Sequence, residues 1–209
     1  MKCKMLRNPL YYGTEYLLSQ YYKLLEEEGY FMQALYKRVI GERINRKAEC
    51  LYNLIGKKPG FDIIQAVERL GGEVCSDYDS QLAVGIDAKI SAEVDGDDIK
   101  FKIIYAPNLS EDYKRFCIAH ELGHLFLHMT EKNQNGEIVI SKGSFYKNND
   151  FSKMYEWEAE EFAACFLMPE EEFRNSIESL DGDVERLARK FKVSPQSVIM
   201  RCKRLGFIS

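Results

Sequence analysis

The sequence predicts an α+β fold: a small, mostly antiparallel sheet packed on one functional helix, with a helical extension before it and a helical tail after it. Three observations carry this. Residues 73–105 divide into short extended pieces separated by turns. Residues 110–129 are apolar at helical spacing and contain His120-Glu121-Leu122-Gly123-His124. Residues 14–55 and 155–207 keep helical spacing without strand-like alternation.

The N-terminal extension is assigned to residues 1–58. Thr14-Glu15 starts a helix that stops at Gly29, with Tyr16, Leu17, Tyr21, Leu24 and Leu25 as its apolar stripe. A second helix, 31–55, carries Tyr36, Ile40, Ile44, Ala48, Leu51 and Ile55 on one side. Gly56-Lys57-Lys58-Pro59-Gly60 breaks the pattern and marks the boundary to the main domain, 61–209. A stripe of this kind reports burial, so packing on the main body is the first reading and a sensor or partner-docking arm the second.

In the main domain, residues 61–70 read as a helix ended by Gly71-Gly72. Extended pieces follow at 73–75, 82–86 and 90–94, then a turn at Asp95-Gly96-Asp97-Asp98 and a strand over 99–105. Ser110 is placed to cap the next helix, with Glu111 and Asp112 in its first turn, and that helix runs to about Met129. Residues 130–153 are polar, with a short apolar strand at 138–140 that reads as a surface strand or an edge for strand addition by a peptide. Helices are expected over 155–169 and 170–177. The tail, 183–207, is helix-turn-helix-like, with Ser194 as N-cap, Pro195 in the first turn, and Arg201, Lys203 and Arg204 beyond. Closing the core is the favoured role for that pair of helices.

Composition narrows the classes. With 209 residues, 45% hydrophobic and 30% charged, the chain is long enough for one good core. A net charge of −4 argues against a broadly basic nucleic-acid surface, so direct nucleic-acid binding is not expected. No apolar run approaches the ~20 residues of a membrane span, and no membrane association is expected. The six cysteines are scattered with no Cys-x-x-Cys, and the N-terminal stretch lacks an apolar signal core, so a cytoplasmic location with reduced thiols is expected.

The chemistry points to His120 and His124. Four residues apart on a helix, they share one face about one turn apart and can close on one ion. His-Glu-x-x-His is the zinc-peptidase pattern, in which both His bind Zn²⁺ and Glu121 serves as general base. All three histidines of the chain lie within 120–128. His128, eight residues after His120, is ~12 Å away on a continuous helix, too far for one ion with ~2 Å bonds, and joins only if the helix breaks after His124. A catalytic zinc needs a third protein ligand. The helix over 155–169 offers Glu156, Glu158, Glu160 and Glu161. Glu158 falls on the side of Phe162 and Phe166, where a buried carboxylate needs a partner such as a metal; Glu161 competes as a structural acid. Tyr105, Tyr146 and Tyr155 are candidates for the oxyanion donor.

Two blocks, His-Glu-Leu-Gly-His-Leu-Phe-Leu-His at 120–128 and Trp-Glu-Ala-Glu-Glu-Phe-Ala-Ala-Cys-Phe-Leu-Met-Pro at 157–169, resemble the ImmA/IrrE family of zinc metallopeptidases, with Glu160 where that family usually has Asn. The tail from Leu187 to Ser194 is also similar, and the resemblance covers about 61–207. It implies a zincin-like core, His120, His124 and Glu158 as zinc ligands, Glu121 as base, and a protein substrate: a DNA-binding transcriptional repressor cleaved in stress or mobile-element regulation. The alternative is a non-catalytic, zinc-containing regulator or sensor that binds a protein partner or DNA. The intact Glu121 counts against it, because a structural zinc site needs no base. An arm of residues 1–58 that blocks the cleft until a signal arrives is a further possibility.

Overall fold

The computed structural model describes residues 36–56, 58–78, 82, 84–95, 98–132, 138–140 and 150–208. The helix expected over 14–28, the start of the second helix and Tyr146 lie outside the described residues. The chain divides into two compact units, 1–43 and 44–209. In the first, the described residues 36–43 are helical.

The second unit begins with α1 (44–55), whose Ile44, Ala48, Leu51 and Ile55 are buried at the expected spacing. Helix α2 (Ile63–Arg69) is capped by Asp62, whose carboxylate accepts the backbone N–H groups of Ile64 and Gln65. Three strands follow: β1 (Gly72–Ser76), β2 (Ala88–Asp95) and β3 (Asp98–Tyr105). They form one sheet in the order β1-β3-β2. β2 and β3 pair antiparallel, whereas β1 pairs with β3 in parallel, with Val74 opposite Ile103. The sheet is therefore mixed: antiparallel pairing predominates, as expected, and β1 adds one parallel edge. β2 and β3 pair from Ala88 opposite Tyr105 to Asp95 opposite Asp98, and β1 adds to the other edge of β3. The extended piece expected at 82–86 is absent as a strand among the described residues. Val84 is fully exposed and Gly85 has φ +81°, as in a turn.

Helix α3 (Glu111–His124) packs its apolar face, Ile118, Ala119 and Leu122, into the core. Its N-cap residue is Ser110, although the Ser110 hydroxyl bonds to the Asp112 carboxylate and caps no backbone N–H. At its other end α geometry stops at His124, and Leu125–Met129 form a π-helical turn. A small hairpin, β4 (Thr130–Lys132) and β5 (Ile138–Ile140), follows. Helix α4 (Asp150–Leu167) crosses α3 with Ala159, Phe162, Ala163 and Phe166 buried.

Helices α5 (Glu170–Ser179), α6 (Val184–Phe191) and α7 (Pro195–Arg204) close the unit. Ser194 caps α7 by accepting the Ser197 N–H, and Pro195 occupies its first turn. The basic residues of this tail are drawn into structure: Arg201 is buried and donates to the Met168 carbonyl, and Arg204 pairs with Glu161. Among the described residues no helix is long and apolar enough to cross a membrane.

Candidate metal centre

The pair on α3 folds as its spacing demands. His120 and His124 stand one turn apart with their Nε2 atoms 3.0 Å from each other and their rings nearly perpendicular, at 78°. Opposite them α4 supplies Glu156. Its Oε2 lies 3.1 Å from His120 Nε2 and its Oε1 3.5 Å from His124 Nε2. One atom from each of the three side chains falls within 4.8 Å of the others. α3 and α4 come this close because residue 123 is glycine. A Cβ there would stand 3.0 Å from the Cα of Ala159, 3.1 Å from its carbonyl oxygen and 3.2 Å from the Cβ of Phe162. Even an alanine there would require the α4 backbone to give way by a few tenths of an ångström.

Burial disfavours charge on His124 and holds its pKa below the usual imidazole value, so the ring keeps a lone pair at neutral pH. Hydrogen bonds from His120 and then His124 hold the Glu156 carboxyl far below the ordinary carboxylate range. Glu121, between the two histidines in sequence, is pushed up to about 7 by burial. The nearby His120 and a hydrogen bond from the backbone of Ile90 on β2 oppose that rise, and Glu156 reinforces it. A carboxyl poised near neutrality is suited to both taking and returning a proton.

The donor set fits a divalent ion. Two ligand atoms at ~2 Å from a tetrahedral zinc are about 3.3 Å apart, close to the separations found here. Two imidazole nitrogens and one carboxylate would fill three positions of a tetrahedral ion, and the Glu156 side chain is 57% exposed.

Glu158, the carboxylate implied by the resemblance, is placed elsewhere. Its Oε2 lies 3.0 Å from His128 Nε2, and both side chains are buried. Two positions along a helix turn the side chain by about 200°, so Glu156 and Glu158 meet different neighbours. The helix-face argument favoured the more buried acid, yet the acid that reaches the histidine pair is more than half exposed. The four-acid cluster contained Glu156, but no local pattern singled it out. His128 does not reach the point shared by His120 and His124; its Nδ1 meets His124 Nδ1 at 3.1 Å. Tyr155 lies against the His128 ring, centroids 4.7 Å apart, and Tyr105 ends β3 beneath the Lys114 ammonium.

A family model described as Peptidase M78, the IrrE N-terminal-like domain, matches residues 88–203. No curated protein matches the chain. A solved structure described as a Mycobacterium tuberculosis transcriptional regulator shares its fold, with a TM-score of 0.50 and 20% identity over 78% of this chain. The chain spans 46% of that structure's length. Since the family match takes in more than half of the residues, from β2 through both helices of the histidine–glutamate cluster to α7, the chain belongs to the Peptidase M78 family of IrrE N-terminal-like domains.

Proposed function

We propose that the chain is a zinc-dependent endopeptidase of ImmA/IrrE type, with His120, His124 and Glu156 as metal ligands and Glu121 as general base. The observation that carries this is the convergence of His120 Nε2, His124 Nε2 and a Glu156 oxygen on one position beside a half-buried Glu121. Glu158 was the expected third ligand. Glu156 is preferred because its oxygens lie 3.1 and 3.5 Å from the two imidazoles, whereas Glu158 meets His128.

Zn²⁺ bound there supplies Lewis acidity toward a peptide carbonyl and toward water. The protein's own groups do the rest. His120 and His124 present lone pairs from a rigid helix, and the neutrality of His124 keeps one of them available. Glu121 takes a proton from the attacking water and passes it to the leaving amine, a cycle that its raised pKa supports in both directions. The substrate is proposed to be a DNA-binding transcriptional repressor, as the family resemblance implies, and the setting cytoplasmic regulation of stress or mobile elements.

The test is incubation of the zinc-loaded chain with repressors encoded beside it, alongside Glu121→Gln. The wild-type chain should cut one of them. The variant should keep one zinc per chain and lose at least ~100-fold in rate, the lower end for a removed general base. Cleavage by Glu121→Gln at the normal rate would refute the mechanism. A zinc-loaded wild-type chain that binds such a repressor without cutting it would instead favour a non-catalytic regulator.

A further inference from the structure

A third histidine follows the pair, and the ion position leaves it unused. The His128 side chain is only 4% exposed and the Glu158 side chain 13%. The three groups form a chain of contacts: His124 Nδ1 to His128 Nδ1 at 3.1 Å, then His128 Nε2 to Glu158 Oε2 at 3.0 Å. We infer that His128 and Glu158 are positioning residues that lock the ring orientation and tautomer of His124 for metal binding. The inference rests on His124 being a ligand through Nε2, as proposed above.

Proton bookkeeping favours one arrangement. If His124 offers the Nε2 lone pair to a metal, its proton sits on Nδ1 and is donated to His128 Nδ1. His128 Nδ1 is then an acceptor, so its own proton sits on Nε2 and is donated to the Glu158 carboxylate. Each of these nitrogens and the accepting oxygen is satisfied without a net charge on either ring. In such buried surroundings a satisfied chain fixes geometry firmly, and a half-satisfied one is costly. A metal-ligating His commonly passes its second N–H to a carboxylate or carbonyl; here a second imidazole is interposed.

The backbone is shaped for this. α3 changes to a π turn immediately after His124, and such turns are common at functional sites. The carbonyl of Phe126 inside the turn accepts from the Lys47 ammonium and from the Thr130 hydroxyl, which holds the irregular segment in place. On the other side the ring of Tyr155 lies against His128. His128 is thus held by neighbours on two elements, and it can hold His124 in turn.

The test is Zn²⁺ affinity of the full-length chain by competition with a chromogenic chelator, for wild type, Glu156→Gln, His128→Gln, Glu158→Gln and the double variant His128→Gln/Glu158→Gln. His128→Gln and Glu158→Gln should each weaken binding by ~10- to 100-fold while one zinc per chain still binds at saturation. The double variant should be no weaker than His128→Gln alone, because Glu158 acts through His128. Wild-type affinity in both single variants would overturn the relay. So would loss of the site in Glu158→Gln with normal binding in His128→Gln, since that would make Glu158 a ligand. A wild-type chain that binds no zinc, or one whose affinity is untouched in Glu156→Gln, would strike the metal-site reading itself. Should a variant fail to fold, ¹⁵N spectra of the zinc-loaded wild type decide, because the chain has only three histidines. His128 is expected protonated on Nε2 and bare on Nδ1, and the reverse tautomer would contradict the relay.

Discussion

Two glutamates on α4 meet opposite fates. Glu161 is almost fully buried and is held between Arg201, at 3.8 Å, and Arg204, with the Cys165 thiol alongside. Its partners are guanidinium groups, charged at any ordinary pH, and they also tie α7 to the Met168 carbonyl and to Asn45. Glu156, five residues earlier, stands more than half exposed and faces imidazole nitrogens, of which His124 is held neutral by burial. The first cluster already holds more positive than negative charge, one carboxylate against two guanidinium groups. The second sets two imidazole nitrogens and one carboxylate around a single point, a donor set that suits a divalent cation. On the proposed reading, what separates the structural carboxylate from the metal ligand is the charge type of its partners, not depth.

Exchanging the two environments tests that contrast. Arg201→Met should cost about 2–4 kcal/mol of folding stability, because the Met168 carbonyl and the Asn45 amide oxygen would each lose their donor, while Glu161 keeps Arg204. Zinc stoichiometry should not change in whatever fraction stays folded. Urea melts and metal analysis check both. Glu156→Gln should do the reverse: zinc affinity falls by more than ~100-fold, beyond the loss typical of an outer-shell partner, while the metal-free chain stays within ~0.5 kcal/mol of wild type. Gly123→Ala should sit between them. Its methyl group meets α4 backbone at 3.0 Å, so it should cost about 1–3 kcal/mol and also weaken zinc, because the α3–α4 gap sets the distance from the histidines to Glu156.

The smallest effect concerns thiols. Burial pushes Cys165 up to about 12 and Cys117 up to about 11, so at pH 8 both carry less thiolate than an ordinary cysteine and become reactive only as pH rises further or the chain unfolds. Among the described cysteines, exposed Cys50 should therefore take up N-ethylmaleimide before Cys117 and Cys165. Stripping the metal should leave Cys165 protected, since the Glu161 cluster does not depend on it. Mass-spectrometric mapping of the label checks this, and fast labelling of Cys165 in the metal-free chain would show the two clusters to be coupled.

Much of this molecule could be read from local chemistry. The histidine pair, the helix that carries it, the breaker at 56–60 and the Ser194-Pro195 cap all follow from residue type and short-range spacing. The features that escaped depend on contacts distant in sequence. Parallel pairing of β1 with β3 is decided by which edge of β3 stays open. The π turn after His124 leaves no mark in a sequence whose apolar spacing runs on through Met129. That Glu156 lies beside the histidine pair and Glu158 beside His128 depends on how α4 is rotated against α3, which the α4 pattern alone does not fix.

The sharpest test is an anomalous-scattering crystal structure of the zinc-loaded chain. One zinc should lie within ~2.0–2.2 Å of His120 Nε2, His124 Nε2 and a Glu156 oxygen, with Glu158 still on His128. Zinc bound by Glu158 in place of Glu156, or held anywhere away from the two imidazoles, would contradict the account.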